Sequence, residues 1–553
     1  MRYQGIIQVF LISSFVLFIT TCSSVSSNSQ GLNLPYMTSS MEEVSGKSFD
    51  YIVVGGGASG CPLVATLSKK FSVLLVERGG SPYNDPMVLD SKNYGLPLIE
   101  TDEFSSIAQS FVSEEGVMNL RGRVLGGSTA INSGFYSRAS EDYIERLGWD
   151  KKLVKESYEW IESKLVSQPS ELSEWQSVFK DSLVDAGGLP FSGFSLEHIS
   201  GTKVGGSIFD GSGKRHSSAD LLSYGNLKRI TVLLNATVKN VIILDNGTGR
   251  KPRVGGVRFI KSNANDDETY EAYLNQPKDT ESWGDMILSA GTLGSPQILM
   301  LSGIGPQEHL KHFNISPVVD ATEVGRGIKD NPSLSLLLDS PGNLRPDLPQ
   351  VVGVTQDFQI IIQSVNRHIT PNETTLRVGA KLTYPASKGK LELKNKDPRQ
   401  NPSVRFNYLT ENKDLDRCVE MGHLVEKITQ SDSIKLYLGS VQGEDAKLST
   451  AEELRVYCKL NVKTFCHYHG GCGIGSVVDK DYKVYGIDGL RVVDGSTLPD
   501  VPGTNPMATL LMLGRYQGMK ILSERYDNLV TSPGHCVIRS SILAPPSIMS
   551  KCY

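Results

Sequence analysis

The chain opens on an apolar run, residues 6–19, preceded by Arg2 and followed by Thr20, Thr21, Cys22 and a serine cluster. A short basic start, roughly 7–15 apolar residues and small residues afterwards predict a secretory signal over 1–27. The run falls short of the ~20 residues a membrane span needs, and a retained anchor is the alternative reading of the pattern. No later stretch is long and apolar enough to span. Beyond the leader, apolar positions come in short bursts. Residues 50–54 and 72–76 have the uninterrupted Val/Ile/Leu character of strands buried on both faces, as in a parallel sheet. The segment 61–68 between them reads as the start of a helix. Residues 231–244 predict a strand containing Asn235. Residues 285–289 predict another, which turns at Gly291 into an apolar helix stopped by Gly303. Strand-like runs recur at 356–364, 376–383, 390–393 and 404–407. Residues 142–183 are helical and charged, and Trp149, Trp160 and Trp175 within or beside that stretch are expected to pack rather than to form a site. Together these elements predict a mixed α/β chain.

The chain has 553 residues, more than a single core of about 250–300 residues accommodates, so more than one domain is expected. Hydrophobic content is 39% and charged content 21%, which excludes wholesale disorder. The 56 basic and 60 acidic side chains leave a net charge of -4 with no basic stripe, so nucleic acid is not an expected partner. The 54 glycines are in excess, and they cluster where the chemistry is.

The first cluster is Gly55-Gly-Gly57-Ala58-Ser59-Gly60, between the strand at 50–54 and the helix start, with Glu77 closing the second strand. This is strand, Gly-x-Gly-x-x-Gly, helix, strand, acid, in the order a dinucleotide fold requires. The glycines provide a tight turn, close approach of backbone to a pyrophosphate and close helix–strand packing, and the helix start offers free N–H groups to phosphate. Glu77 is spaced to accept from a ribose hydroxyl. The fingerprint by itself does not choose between NAD and FAD.

A second loop runs Gly122-Arg-Val124-Leu-Gly126-Gly127-Ser128-Thr129-Ala-Ile-Asn132, and a third Gly291-Thr-Leu-Gly294-Ser295-Pro296 onward to Ser302-Gly303-Ile-Gly305. With the first cluster, these segments resemble the glucose–methanol–choline (GMC) family of FAD oxidoreductases, from about residue 49 to about 528. Arg215-His-Ser-Ser-Ala-Asp220 and Leu513-Gly-Arg-Tyr516 resemble the plant branch that contains mandelonitrile lyases. The resemblance is weakest at 336–388. It implies FAD as the cofactor. It also implies that Gly55, Gly57, Ala58, Ser59 and Gly60 hold the pyrophosphate and Glu77 the ribose, with Arg78 beside it. Val124, Ser128, Asn132, Ser133, Gly134 and Phe135 would line the flavin, and the backbone of Val238 would meet the adenine.

The stretch Phe465-Cys466-His467-Tyr468-His469-Gly470-Gly471-Cys472 is the most reactive-looking of the chain. By resemblance, His467 is the catalytic histidine, Asp494 and Gly495 are flavin contacts, and Asn505 is the second active-site residue, followed by Pro506 and Met507. Oxidising an alcohol requires a base for the hydroxyl proton while hydride leaves carbon for flavin N5. Neutral imidazole suits that task, and an amide at 505 can position the oxygen but not take its proton. The resemblance thus implies an FAD-dependent oxidoreductase acting on CH–OH groups. A hydroxynitrile lyase that keeps FAD structurally is the alternative, put in doubt because Asn505 stands where such lyases carry a second histidine. A non-catalytic flavin binder is a third reading. His467 and His469 on one face of a strand, with Cys466 and Cys472 nearby, also admit a metal-site reading, but no further ligand is close in sequence and no metal is expected. His469 reads as a structural histidine.

Without the leader, Cys61, Cys418, Cys458, Cys466, Cys472, Cys536 and Cys552 remain, an odd number. The plant-lyase resemblance implies a Cys418–Cys458 disulfide; Cys466 and Cys472 are candidates for a local bridge. Sequons at Asn235, Asn246, Asn314 and Asn372, with the leader, suggest a secreted or endomembrane glycoprotein. The resemblance implies a discontinuous Rossmann-type FAD-binding domain (49–135, 200–330 and 461–528). A substrate domain (136–199 and 331–460) with an antiparallel sheet and helices would cap it, and 529–553 would form a loosely ordered tail. The expected partner is a small alcohol or cyanohydrin, and the expected state a monomer.

Overall fold

The computed structural model describes residues 34–531, apart from 84, 100, 246, 248–249, 265–266, 277–283, 340–343, 371–372 and 440–449. The leader, the sequons at Asn246 and Asn372, Cys536, Cys552 and nearly all of the expected tail lie outside the described residues. Among the described residues, no helix is long and apolar enough to cross a membrane.

A six-stranded parallel sheet carries the first glycine loop. Its order is Met37–Thr38, Ile230–Leu233, Val73–Val76, Tyr51–Val54, Met286–Leu288, Leu490–Val492. Tyr51–Val54 and Val73–Val76 are buried at every position, because helices and loops cover both faces. The helix Gly60–Leu67 covers one face and is itself covered by the C-terminal helix Met507–Thr531. The Ser59 hydroxyl donates to Leu510 O at 3.0 Å, and Arg515 donates to Thr66 Oγ1 at 2.9 Å. Segments about 450 positions apart thus form one layer.

A seven-stranded sheet forms the second body: Lys463–Thr464, Pro332–Asp339, Glu373–Leu382, Ile360–Thr370, Val351–Val354, Gly201–Val204, Phe191–Phe194. All its pairings are antiparallel except the last. One face packs on the helices Glu174–Asp185, Asn412–Thr429, Asp432–Leu438 and Ala451–Asn461, around Trp175, Leu376, Val378, Ala380 and Leu382. The sheet takes strands from both sides of the boundaries expected at 199/200 and 460/461. Local sequence starts these helices: Ser173 accepts from Gln176 N–H, and Thr450 with Glu453 forms a capping box.

Cys418 and Cys458 form a disulfide joining Asn412–Thr429 to Ala451–Asn461. Closing 40 residues restricts the unfolded chain by about 4 kcal/mol in the chain-entropy model. A thermal melt with reductant is expected to fall clearly below one without; coincident melts would count against that contribution.

Three expectations need correction. Residues 231–244 are two strands, Ile230–Leu233 and Ala236–Leu244, broken where Asn235 takes a positive φ of 55°. Asn235 is therefore a half-buried turn residue rather than a strand residue, and Asn314 is exposed. His467 and His469 do not share the face of a strand, because Cys466 turns the chain with φ 57° and the strand ends at Thr464. Cys466 and Cys472 are both free, the first exposed and the second buried. Trp149 and Trp175 are buried as expected, and Trp160 lies under Arg515 at 4.5 Å and Lys164 at 4.8 Å.

Candidate active site

The two bodies enclose a cavity of about 840 Å³. His467, Asn505 and every expected cofactor residue except Gly60, Val124 and Gly134 line it. The exceptions are packed behind the lining. A Cβ on Gly60 would lie 2.0 Å from Gly55 O, so this glycine serves helix–strand packing, and one on Gly134 would strike the Phe209 ring. Val124 is 2% exposed.

The glycine loop separates two functions. Gly55 has φ 97°, and a Cβ there would sit 2.4 Å from Ser289 O, so the protein's own packing requires glycine. A Cβ on Gly57 would meet only Gly127 Cα, at 4.0 Å, and nothing in the chain explains the missing side chain. It faces the cavity at the start of a helix that no side chain caps and whose first turn carries no acid. An anionic group brought against bare backbone explains both features, and the residues present fit a dinucleotide. Glu77 is buried, and its oxygens accept from Gly56 and Gly79 N–H groups, each at 2.8 Å. Each oxygen keeps a second lone pair for a hydroxyl. Arg78 donates to Gln109 and to Gly122 O, so the second glycine loop is tied to the first.

Behind both loops lies the segment at 215–218. Arg215 donates to Val88 O, Thr129 O and Asn132 Oδ1, and Ser218 donates to Gly57 O and Gly126 O. Asn132 also donates to Met507 Sδ at 3.0 Å. Asp494 accepts from Gly291 N–H, Ser295, and both the N–H and the hydroxyl of Ser496. Its carboxylate is therefore spent on holding the start of the helix Gly291–Leu301, and only its backbone is left to serve the cavity.

Around His467 the structure adds residues that sequence reasoning missed. Lys381 is fully buried, and its Nζ lies 2.9 Å from His467 Nδ1 and 3.1 Å from Thr504 O. The buried Asp330 accepts the His467 backbone N–H at 3.0 Å and the hydroxyls of Tyr408 and Thr464. His467 Nε2 has no protein partner among the described residues. Burial first, then Lys381 and His469, hold its imidazole neutral well below the ordinary histidine range. Asn505 donates to Gln363 Oε1 at 3.4 Å, and its buried Oδ1 lacks a partner. His469 places Nδ1 3.0 Å from His467 O, its buried Nε2 lacks a partner among the described residues, and burial lowers its pKa to about 4.

One sequence signal pointed toward Lys381. The strand 376–383 alternates, with Leu376, Val378, Ala380 and Leu382 on the helix-packed face. Arg377 and Lys381 occupy the other face, which the alternation alone reads as solvent and which here looks into the site.

Burial lowers the Lys381 pKa from 10.5 to about 7. Between those values the unfolded chain holds a proton that the folded chain lacks, so stability rises with pH across that window. Below about pH 7 the full penalty applies, on the order of a few kcal/mol. Lys381→Met is therefore expected to melt above the parent at pH 6, with the gap closing as pH rises toward 10. A constant gap would show that the amine carries no such penalty.

Comparison with known proteins agrees with this architecture. Family models described as GMC oxidoreductase match residues 49–333 and 385–514. A protein of Arabidopsis thaliana named (R)-mandelonitrile lyase-like is 42% identical over 507 residues, covering 86% of this chain and 90% of that protein. Sinalpyl alcohol oxidase Nec3 of Nesocodon mauritianus is 37% identical over 555 residues, covering 94% and 98%. Among solved structures, a formate oxidase variant of Aspergillus oryzae RIB40, studied for FAD modification, superposes with a TM-score of 0.75 at 19% identity. It covers 88% of this chain and all of that one. The chain therefore belongs to the GMC oxidoreductase family, with FAD as its cofactor.

Proposed function

We propose that the chain is an FAD-dependent oxidoreductase that oxidises a CH–OH group of a small alcohol, with His467 as the base. The observation that carries this reading is an imidazole lining the cavity, with Nδ1 held by the protein and Nε2 without a protein partner among the described residues. Bound FAD supplies the two-electron acceptor. The loop 55–60 would hold its pyrophosphate, Glu77 its ribose, and the backbone of Val238 its adenine. The loops at 124–135 and 494–507 would line its ring. His467 Nε2 takes the hydroxyl proton of the donor as its C–H bond is cleaved. Asn505 hydrogen-bonds the same oxygen and fixes its orientation without exchanging a proton. Lys381 keeps the imidazole from rotating out of that position, and Asp330 fixes the backbone that carries it.

A second reading, cyanohydrin cleavage, has support from the 42% identity to a mandelonitrile lyase-like protein. The argument against it from Asn505 is weakened by Lys381, whose charged form would supply the positive field that a departing cyanide needs. The two separate in one experiment. Under anaerobic conditions a panel of alcohols is added, and the visible flavin band is followed. Bleaching by an alcohol supports oxidation. Benzaldehyde release from mandelonitrile with the band unchanged would replace it with the lyase. Neither response in FAD-loaded protein would favour a non-catalytic binder. The leader pattern and the disulfide support a secreted or endomembrane location.

A further inference from the structure

The amine of Lys381 joins the two loops that carry His467 and Asn505. It meets His467 Nδ1 on one and the carbonyl of Thr504 on the other. Among the described residues, no carboxylate lies within ion-pair distance of it. Asp330, the acid whose charge it feels, is occupied by His467 N–H, Tyr408 and Thr464. The other ionisable groups facing this pair are His469, bonded to His467 O, and His198 on the neighbouring 195–204 segment, both kept neutral by burial. Lys203, beside His198, is engaged with Ser137 Oγ and Ser195 O.

We infer that Lys381 acts as a neutral amine that sets the tautomer of His467, so that Nε2 is bare and able to accept a proton. This rests on the reading of His467 as the base. An amine has one lone pair and two N–H donors. Donating to Thr504 O, it has a lone pair that can accept Nδ1–H from His467, and in that arrangement the imidazole proton stays on Nδ1. An ammonium has no lone pair and must donate to Nδ1, which moves the ring proton to Nε2. In that form His467 is a hydrogen-bond donor and cannot be the base. The pair also gives the proton an onward path. The substrate O–H proton bonds to Nε2 as Nδ1–H breaks and its proton bonds to Nζ. One proton enters, the imidazole ends neutral, and Lys381 ends as ammonium. The buried amine, displaced to about 7, makes the switch fall near neutral pH. Lys381 is a positioning residue here, since it acts through the histidine.

The test uses FAD-loaded enzyme with 15N-labelled histidine, and the His467 signals are assigned by their loss in His467→Gln. In the parent, Nε2 is expected at the position of an unprotonated ring nitrogen above about pH 7 and to become protonated below it. Lys381→Arg, charged at every accessible pH, is expected to keep Nε2 protonated throughout. Lys381→Met, close in length and unable to titrate, is expected to lose the inflection near 7. Flavin reduction by a responsive alcohol should rise with pH over the same range in the parent and fall about 10- to 100-fold in Lys381→Arg at pH 8. An identical Nε2 state in the parent and Lys381→Arg, or an inflection near 7 that survives in Lys381→Met, would overturn the inference. A parent that shows the tautomer switch but is bleached by no alcohol would instead refute the proposed function and leave the switch standing. Bleaching without any tautomer change would do the reverse.

Discussion

His467→Ala is expected to lower flavin reduction by an alcohol donor about 10²- to 10⁴-fold while the purified protein stays yellow. The magnitude is that of a positioned base, because the variant removes a cavity-lining imidazole whose Nε2 has no protein partner among the described residues. FAD is retained because the contacts proposed for its pyrophosphate and ribose lie on the 55–60 loop and Glu77, and the loop around 467 is held by backbone. Gly470 N–H donates to Gly495 O, and the 467 N–H donates to Asp330 whatever the side chain. Rapid mixing without oxygen, read at the visible flavin band, measures the effect, and bound FAD is read from the same spectrum. Parental rates in a yellow variant would remove His467 from the chemistry. Loss of colour would show that the histidine supports the cofactor site instead.

Gly57→Val is expected to give a folded, colourless protein whose FAD affinity is lower by at least about 100-fold, or some 2.7 kcal/mol. The argument is geometric. The chain leaves a β-carbon at 57 free space, with the nearest atom 4.0 Å away, so the backbone accepts a Cβ there without a clash. That space is the cavity beside an uncapped helix start, where bulk holds a pyrophosphate away from the N–H groups. Gly55→Ala is the contrasting variant. Its Cβ would strike Ser289 O at 2.4 Å on a backbone with φ 97°, and it is expected to lose stability together with FAD. Fluorescence quenching of FAD on titration with apoprotein, and thermal melts of each variant, distinguish the two outcomes. A Gly57→Val protein as yellow as the parent would mean that the pyrophosphate does not approach this loop.

What proved legible in the sequence was local. The fingerprint at 50–77 could be read because each of its parts, a turn, a helix start and a buried strand, is fixed by residues within a few positions. The apolar pattern merges the strands flanking Asn235 into one, although an Asn between two apolar runs is a residue that adopts positive φ readily. The shared strand face given to His467 and His469 failed for a related reason. Cys466, a residue with no such preference, takes φ 57° because its N–H is held by Thr464, whose hydroxyl is bound to Asp330. Only a contact 134 positions away imposes that turn.

By itself, then, the sequence determined that a nucleotide-binding strand–loop–helix exists and that the chain is a mixed α/β protein, while the family resemblance singled out His467 and Asn505 as candidates. Tertiary structure alone decided the electrostatics around His467. The alternation of 376–383 says that Lys381 shares a face with Arg377, but not what covers that face. Strand pairing places the face over the cavity, where the loss of water, and not any neighbour in sequence, brings the amine close to neutrality beside His467.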